Sequence, residues 1–170
     1  LVLEVSDLEA AFASVSPTGH GVVLVAGTGA AAARIQDWRT VQVADGCGWL
    51  VGDEGSGFWL GQQAVGRVLA SLDGRGPRTL LADSVTRSLG LAPSVSRSRA
   101  ETARDIIRVV YGQPPVVLAT LAPLVTEAAD AGDRVARRII RQASSALVTT
   151  LRDRHSGKAG SFELSVEIGG

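Results

Sequence analysis

The chain has 170 residues, 45% of them hydrophobic and 20% charged, which is enough for a domain with a sizeable buried core. Its 17 basic residues balance 17 acidic ones, which removes any electrostatic case for nucleic acid, and no apolar stretch reaches the length of a membrane-spanning helix. With Cys47 as the single cysteine, an internal disulfide and a multi-cysteine metal site are both excluded.

Leu1–Val5 reads as a short strand, and from Asp7 to Val15 the apolar residues Leu8, Ala11, Phe12 and Val15 fall at helical spacing. Val22–Val25 is a continuous apolar run, the pattern of a strand buried on both faces. Gly27-Thr28-Gly29 breaks it, and Ala31–Ile35 and Thr40–Val43 then read as a hairpin with Asp37 near its turn. A glycine-rich loop follows from Asp45 to Gly57.

The middle of the chain becomes helical. Gly61, Ala64, Val65, Val68, Leu69 and Leu72 trace one helix face, and Gly74 and Pro77 end it. A shorter helix is expected over Thr79–Leu89. Ser98 with Glu101 forms a capping box for a helix running to Tyr111. Val116–Ala129 is expected to be one further helix, and Gly132-Asp133 opens a long one ending near Arg154. A polar turn over His155–Gly160 leads to Phe162–Ile168, whose alternation predicts a half-buried strand. Strands, a helical block and a returning strand predict an α/β domain with a mixed sheet.

Three places could carry chemistry. Gly27-Thr28-Gly29 ends a buried strand with two residues that lack Cβ, so backbone N–H groups could approach a phosphate there and Thr28 would add a hydroxyl. A tight hairpin turn explains the same residues equally well. It is neither a Walker A loop nor a dinucleotide fingerprint, since no Gly-Lys-Ser/Thr and no helix follows. The second place is the segment from Asp45 to Gly57, with glycines at 46, 48, 52, 55 and 57. Helix capping would account for Asp53 or Glu54 but not for the glycines, so a ligand lying against backbone is the favoured reading. The third is Asp7, which either faces a crevice from a strand end or caps the following helix.

His20 and His155 read as solvated residues and Cys47 as a small packing residue. Phe58 and Trp59 read as core, Trp49 as a surface that could stack on a ligand, and the arginines of 134–141 as a solvated helix face.

Taken together, the Ser-Asp after the opening strand, Val-Ala-Gly-Thr-Gly at 25–29, Gly-Cys-Gly-Trp-Leu-Val-Gly-Asp-Glu-Gly-Ser-Gly at 46–57 and the run from Ala122 to Asp133 resemble the BadF/BadG/BcrA/BcrD ATPase family. That family includes the N-acetylglucosamine kinases, within the sugar kinase/actin superfamily. The resemblance implies an actin-like, ribonuclease H-like lobe whose mixed sheet carries an inserted helical block. Residues 1–170 would be the C-terminal nucleotide-binding lobe of a longer protein, an expectation matched by the absence of methionine.

By the same resemblance, Asp7 is the catalytic aspartate on the sugar hydroxyl. Gly27, Thr28 and Gly29 hold ATP phosphates, Ala119 borders adenine, and Gly169 and Gly170 begin the adenosine motif. Gly46, Cys47, Gly48 and Asp53 line the sugar site. The implied activity is ATP-dependent phosphorylation of N-acetylglucosamine or a related hexose with ATP and Mg²⁺, and no metal ligand is assigned to the chain. Ser6 stands where the family usually has Asn, Ala30 stands where Ser often follows the Gly-Thr-Gly, and the family's first phosphate loop is absent. The isolated chain is therefore expected to be inactive without an N-terminal lobe. Other expected properties are a cytoplasmic location, no membrane or nucleic-acid partner, and a homodimer as the candidate assembly. The alternatives within and beside the family are an ATPase activator of an acyl-CoA reductase or dehydratase, and a sugar-sensing module without catalysis.

Overall fold

The computed structural model describes residues 6–91, 98–152 and 164–167, and the chain divides into two compact units. The first comprises residues 1–56 and 144–170, and the second residues 57–143.

In the first unit, helix α1 (Asp7–Val15) precedes three strands, β1 (Gly21–Ala26), β2 (Ala30–Gln36) and β3 (Arg39–Asp45), and strand β4 (Leu164–Glu167) returns late in the chain. The sheet order is β3-β2-β1-β4. β1 and β2 are antiparallel with Ala26 opposite Ala30, so Gly27-Thr28-Gly29 is the whole of their connection. β2 and β3 are joined through Asp37 and Trp38, both at positive φ, the geometry of a two-residue hairpin whose twist suits the strands. β4 runs parallel to β1, Val22 opposite Leu164 and Val25 opposite Glu167, which makes the sheet mixed as its pattern predicts.

Central position explains the composition of β1: Val22, Val23 and Leu24 are all buried. Phe12 from α1 packs with Val23, Ala33 and Ile35 in a small apolar cluster, and its ring meets Trp38 edge-on at 6.2 Å. β3 is an edge strand, with Val41 and Val43 exposed and a register irregularity opposite Arg34/Ile35.

The second unit holds α2 (Gly57–Leu72), α3 (Leu81–Ser88), α4 (Arg99–Tyr111), a 3-10 helix (Pro115–Leu121), α5 (Ala122–Asp130) and the start of α6 (Arg134–Arg152), whose residues from 144 onward belong to the first unit. Its core is built from Val68, Leu81, Val85, Ile106, Val125 and Ile139, all fully buried, with Trp59 packed against it. α4 begins with the predicted capping box, Glu101 N–H donating to Ser98 Oγ while Ser98 N–H donates to Glu101 Oε2. α6 is capped by Asp133, whose Oδ1 accepts from Val135 N–H and Ala136 N–H at 2.8 Å each.

Two expectations are corrected. Residues 116–129 do not form one helix: Pro115–Leu121 is a 3-10 segment and α5 starts afresh at Ala122 with Pro123 in its first turn, where a proline has no N–H to lose. Asp7 is not the cap of α1. Ser6 is, in a second capping box with Glu9, and Asp7 is the first helical residue. The expected strand at Leu1–Val5, the turn at His155–Gly160 and the ends of the last strand lie outside the described residues.

Candidate active site

Backbone geometry brings the Gly27–Gly29 turn and the 45–56 loop together. Gly27 N–H donates to Gly29 O at 2.9 Å, which tightens the turn, and Thr28 stands exposed at its tip. Gly46 N–H donates to Ala30 O at 3.0 Å, so the loop leaves β3 alongside the residue that follows the turn. Within the loop, Gly52 N–H and Val51 N–H both donate to Gly48 O, and Ser56 N–H donates to Asp53 O. Five loop residues have positive φ, namely Asp45, Gly46, Gly48, Asp53 and Gly55. Two of these are aspartates, for which the left-handed region is uncommon and needs support from the surroundings.

Among the described residues of the first unit, Asp53 is the most buried acid. It is 9% exposed, and no described residue donates a hydrogen bond to its carboxylate. The carboxylate lies against Gly29: a Cβ built there would stand 2.9 Å from Asp53 Oδ2 and 3.2 Å from its Cγ. Its oxygens are not among the buried unpartnered atoms of the described residues, so they keep access to solvent and can accept hydroxyls from a ligand. Asp45 is its opposite, because Oδ1 accepts from Asp53 N–H at 2.8 Å and Oδ2 from Glu54 N–H at 3.2 Å.

Asp7 is exposed at the first turn of α1. That turn is fixed by Glu9, whose Oε2 accepts from Ser6 N–H at 3.2 Å and whose Oε1 accepts from Thr40 N–H of β3 at 2.7 Å. The Thr40 N–H, then the Ser6 N–H, hold the Glu9 carboxyl below the usual range against a weaker opposing effect of burial, and Arg39 adds to the lowering. The structure thus joins Gly27–Gly29 with Asp53 and anchors the element carrying Asp7 to the same sheet. No described contact links Asp7 itself to either loop.

Of the remaining sequence candidates, Gly46, Cys47 and Gly48 lie on the rim of the loop, Cys47 exposed. Trp49 is exposed and Phe58 buried. Ala119 is half-buried in the 3-10 helix of the second unit. Gly169 and Gly170 lie outside the described residues. Among the described residues, no three His, Cys, Asp or Glu side chains converge as a metal cage, and no helix is long and apolar enough to cross a membrane. Sequence reasoning passed over Asp45 and Glu9. A Ser-x-x-Glu signal at 6–9 marked the second, while nothing local marked the first.

Residues 6–159 match the BadF/BadG/BcrA/BcrD ATPase family. The chain belongs to that family. Similar curated members include the N-acetylmuramic acid/N-acetylglucosamine kinase of Clostridium acetobutylicum, 29% identical over 154 residues, a match covering 89% of this chain and 47% of the relative. The N-acetyl-D-glucosamine kinase of Dictyostelium discoideum is 31% identical over 130 residues, covering 75% of this chain and 38% of its own length. This family member therefore spans about half or less of the curated relatives it matches.

Among solved structures, a candidate N-acetylglucosamine kinase from Chromobacterium violaceum aligns with a TM-score of 0.69 at 29% identity, covering 89% of this chain and 48% of that one. A Porphyromonas gingivalis structure at 22% identity shares the fold, with a TM-score of 0.67 and coverage of 94% and 50%.

Proposed function

We propose that this chain is the C-terminal, nucleotide-binding lobe of an actin-like, ATP-dependent sugar kinase that phosphorylates a hydroxyl of N-acetylglucosamine or a related hexose. The observation that carries the reading is Asp53, a largely buried residue whose carboxylate accepts no protein hydrogen bond and is set against the Gly27–Gly29 turn. An open acceptor beside a glycine turn suits a polyol on one side and a phosphate tail on the other. The sugar kinases among its relatives support the same class of reaction.

In this reading the roles divide by chemistry. Thr28 and the N–H groups of the turn hold ATP phosphates, with Ala119, Gly169 and Gly170 toward the adenosine. Asp53 and the rim residues Gly46, Cys47 and Gly48 take the sugar hydroxyls. Asp7 orients the acceptor hydroxyl and receives its proton as the new oxygen–phosphorus bond forms and the bond to the ADP leaving group breaks. Mg²⁺, when bound with ATP, neutralises charge on the phosphates. The chain's own contribution is placement, which converts a bimolecular encounter into a held geometry. A second lobe completes the cleft, so the isolated 170 residues bind ligands weakly and do not turn over. The protein works as a cytoplasmic enzyme.

Replacing Asp7 by Asn in the full-length protein tests this. Phosphorylation of N-acetylglucosamine by ATP falls about 10²–10⁴-fold while sugar affinity is kept. Undiminished turnover in that variant would remove the catalytic role.

A further inference from the structure

Asp45 and Asp53 are the two acids that take positive φ inside the 45–56 loop, and the hydrogen bonds divide their duties. Both Asp45 oxygens are engaged by backbone, one by Asp53 N–H and one by Glu54 N–H, across a sequence gap of eight and nine residues. Asp53 carries its carboxylate unengaged, beside the turn. The loop is packed tightly around the first acid: a Cβ on Gly52 would collide with Asp45 Oδ1 and come within 2.8 Å of Cys47 Cβ. Only glycine leaves room there for the carboxylate to reach the two N–H groups.

We infer that Asp45 is a positioning residue, which by clamping the Asp53 and Glu54 N–H groups holds Asp53 in its left-handed conformation and so aims its carboxylate at the Gly27–Gly29 turn. Each Asp45 oxygen already accepts one backbone N–H, so its described contacts are all within the loop. A charge-assisted bond to each of two adjacent N–H groups is also the contact that an Asn cannot reproduce, because its amide nitrogen would face one of those donors. The consequence for function rests on the reading of Asp53 as the acid that binds sugar hydroxyls.

The experiment compares full-length wild-type protein with the Asp45→Asn and Asp45→Ala variants. Calorimetric titrations use N-acetylglucosamine and, separately, ADP, and hydrogen exchange is followed over residues 46–56. The expected result is a loss of N-acetylglucosamine affinity of about tenfold or more in Asp45→Ala and a smaller loss in Asp45→Asn. ADP affinity stays close to wild type in both, and exchange over 46–56 is faster. Unchanged sugar affinity with unchanged exchange overturns the proposal. So does an equal loss of sugar and ADP affinity accompanied by a lower melting temperature, which would make Asp45 a general stability residue. If wild-type protein binds no N-acetylglucosamine, the sugar reading fails on its own. Faster exchange in Asp45→Ala then upholds the clamp, and unchanged exchange overturns it.

Discussion

Asp53 occupies the space that a side chain on Gly29 would need, its Oδ2 only 2.9 Å from where a Cβ would stand. The carboxylate and the turn are thereby in direct steric contact, and a side chain added to the turn would have to displace the carboxylate. Under the proposed reading, what one loop presents to a sugar depends on the residue chosen in the other.

Gly29→Ala is therefore expected to act at a distance along the chain. The added methyl pushes the Asp53 carboxylate aside, and N-acetylglucosamine affinity in the full-length protein drops by about tenfold. The melting temperature changes little, because the turn is at the surface. Titration calorimetry with the sugar checks this.

Gly61 gives a prediction about stability in which two effects oppose each other. Alanine favours a helix interior by about 1 kcal/mol over glycine. Yet a Cβ on Gly61 of α2 would run into the Leu118 carbonyl of the 3-10 helix, a backbone group that no rotamer change can move. Overpacking of this kind costs about 1–3 kcal/mol and wins. Gly61→Ala should lower the chemical-denaturation midpoint, whereas the exposed Gly66, with nothing near its would-be Cβ, should tolerate the same change.

Asp133 ties α6 to α3. Besides capping α6, its Oδ2 accepts from Leu80 N–H at 2.6 Å. Burial pushes its carboxyl up, but the N–H groups of Ala136, Leu80 and Val135, with the Thr79 hydroxyl, more than offset this and leave it lowered. A lowered acid stabilises the fold fully above the unfolded value, near 3.9, and loses that contribution as pH falls through the folded value. Asp133→Ala should cost about 2–3 kcal/mol at neutral pH, from the lost cap and the orphaned Leu80 N–H. The difference from wild type should shrink in acid. Denaturation curves at pH 7 and pH 3 measure it.

Glu9 follows the same sign at the surface. Its lowered carboxyl holds Thr40 N–H while ionised, so the tether between α1 and β3 weakens as pH falls below about 4.3. Glu9→Gln should mimic acid at neutral pH, speeding exchange of the Thr40 amide and, under the proposed role of Asp7, weakening turnover of the full-length protein without abolishing it.

The parts of the fold that were legible in the sequence are those with a local signature. The hydrophobic run at Val22–Val25, the glycine breaks on either side of Thr28 and the capping pair Ser98/Glu101 each fix their structure within a few residues. The same signature at Ser6/Glu9 places the cap one residue before Asp7, the residue to which one of the two open readings gives it. Residues 116–129 carried helical spacing throughout, yet Pro123 removes an N–H and restarts the helix. Asp45 was illegible for a different reason. Its partners lie eight and nine residues away across an irregular loop, and no periodicity encodes a side chain bonding backbone at that range.

The mixed pairing of β1 has a consequence for how the polypeptide is made. β2 and β3 follow β1 at once, so one flank of Val22–Val25 is covered almost as soon as it emerges. Its other flank waits for residues 164–167. At 5–20 residues per second the ribosome leaves that flank bare for on the order of ten seconds. For that interval the nascent molecule displays an apolar strand with a free row of amides and carbonyls, a docking place for holdase chaperones and a point of entry for aggregation.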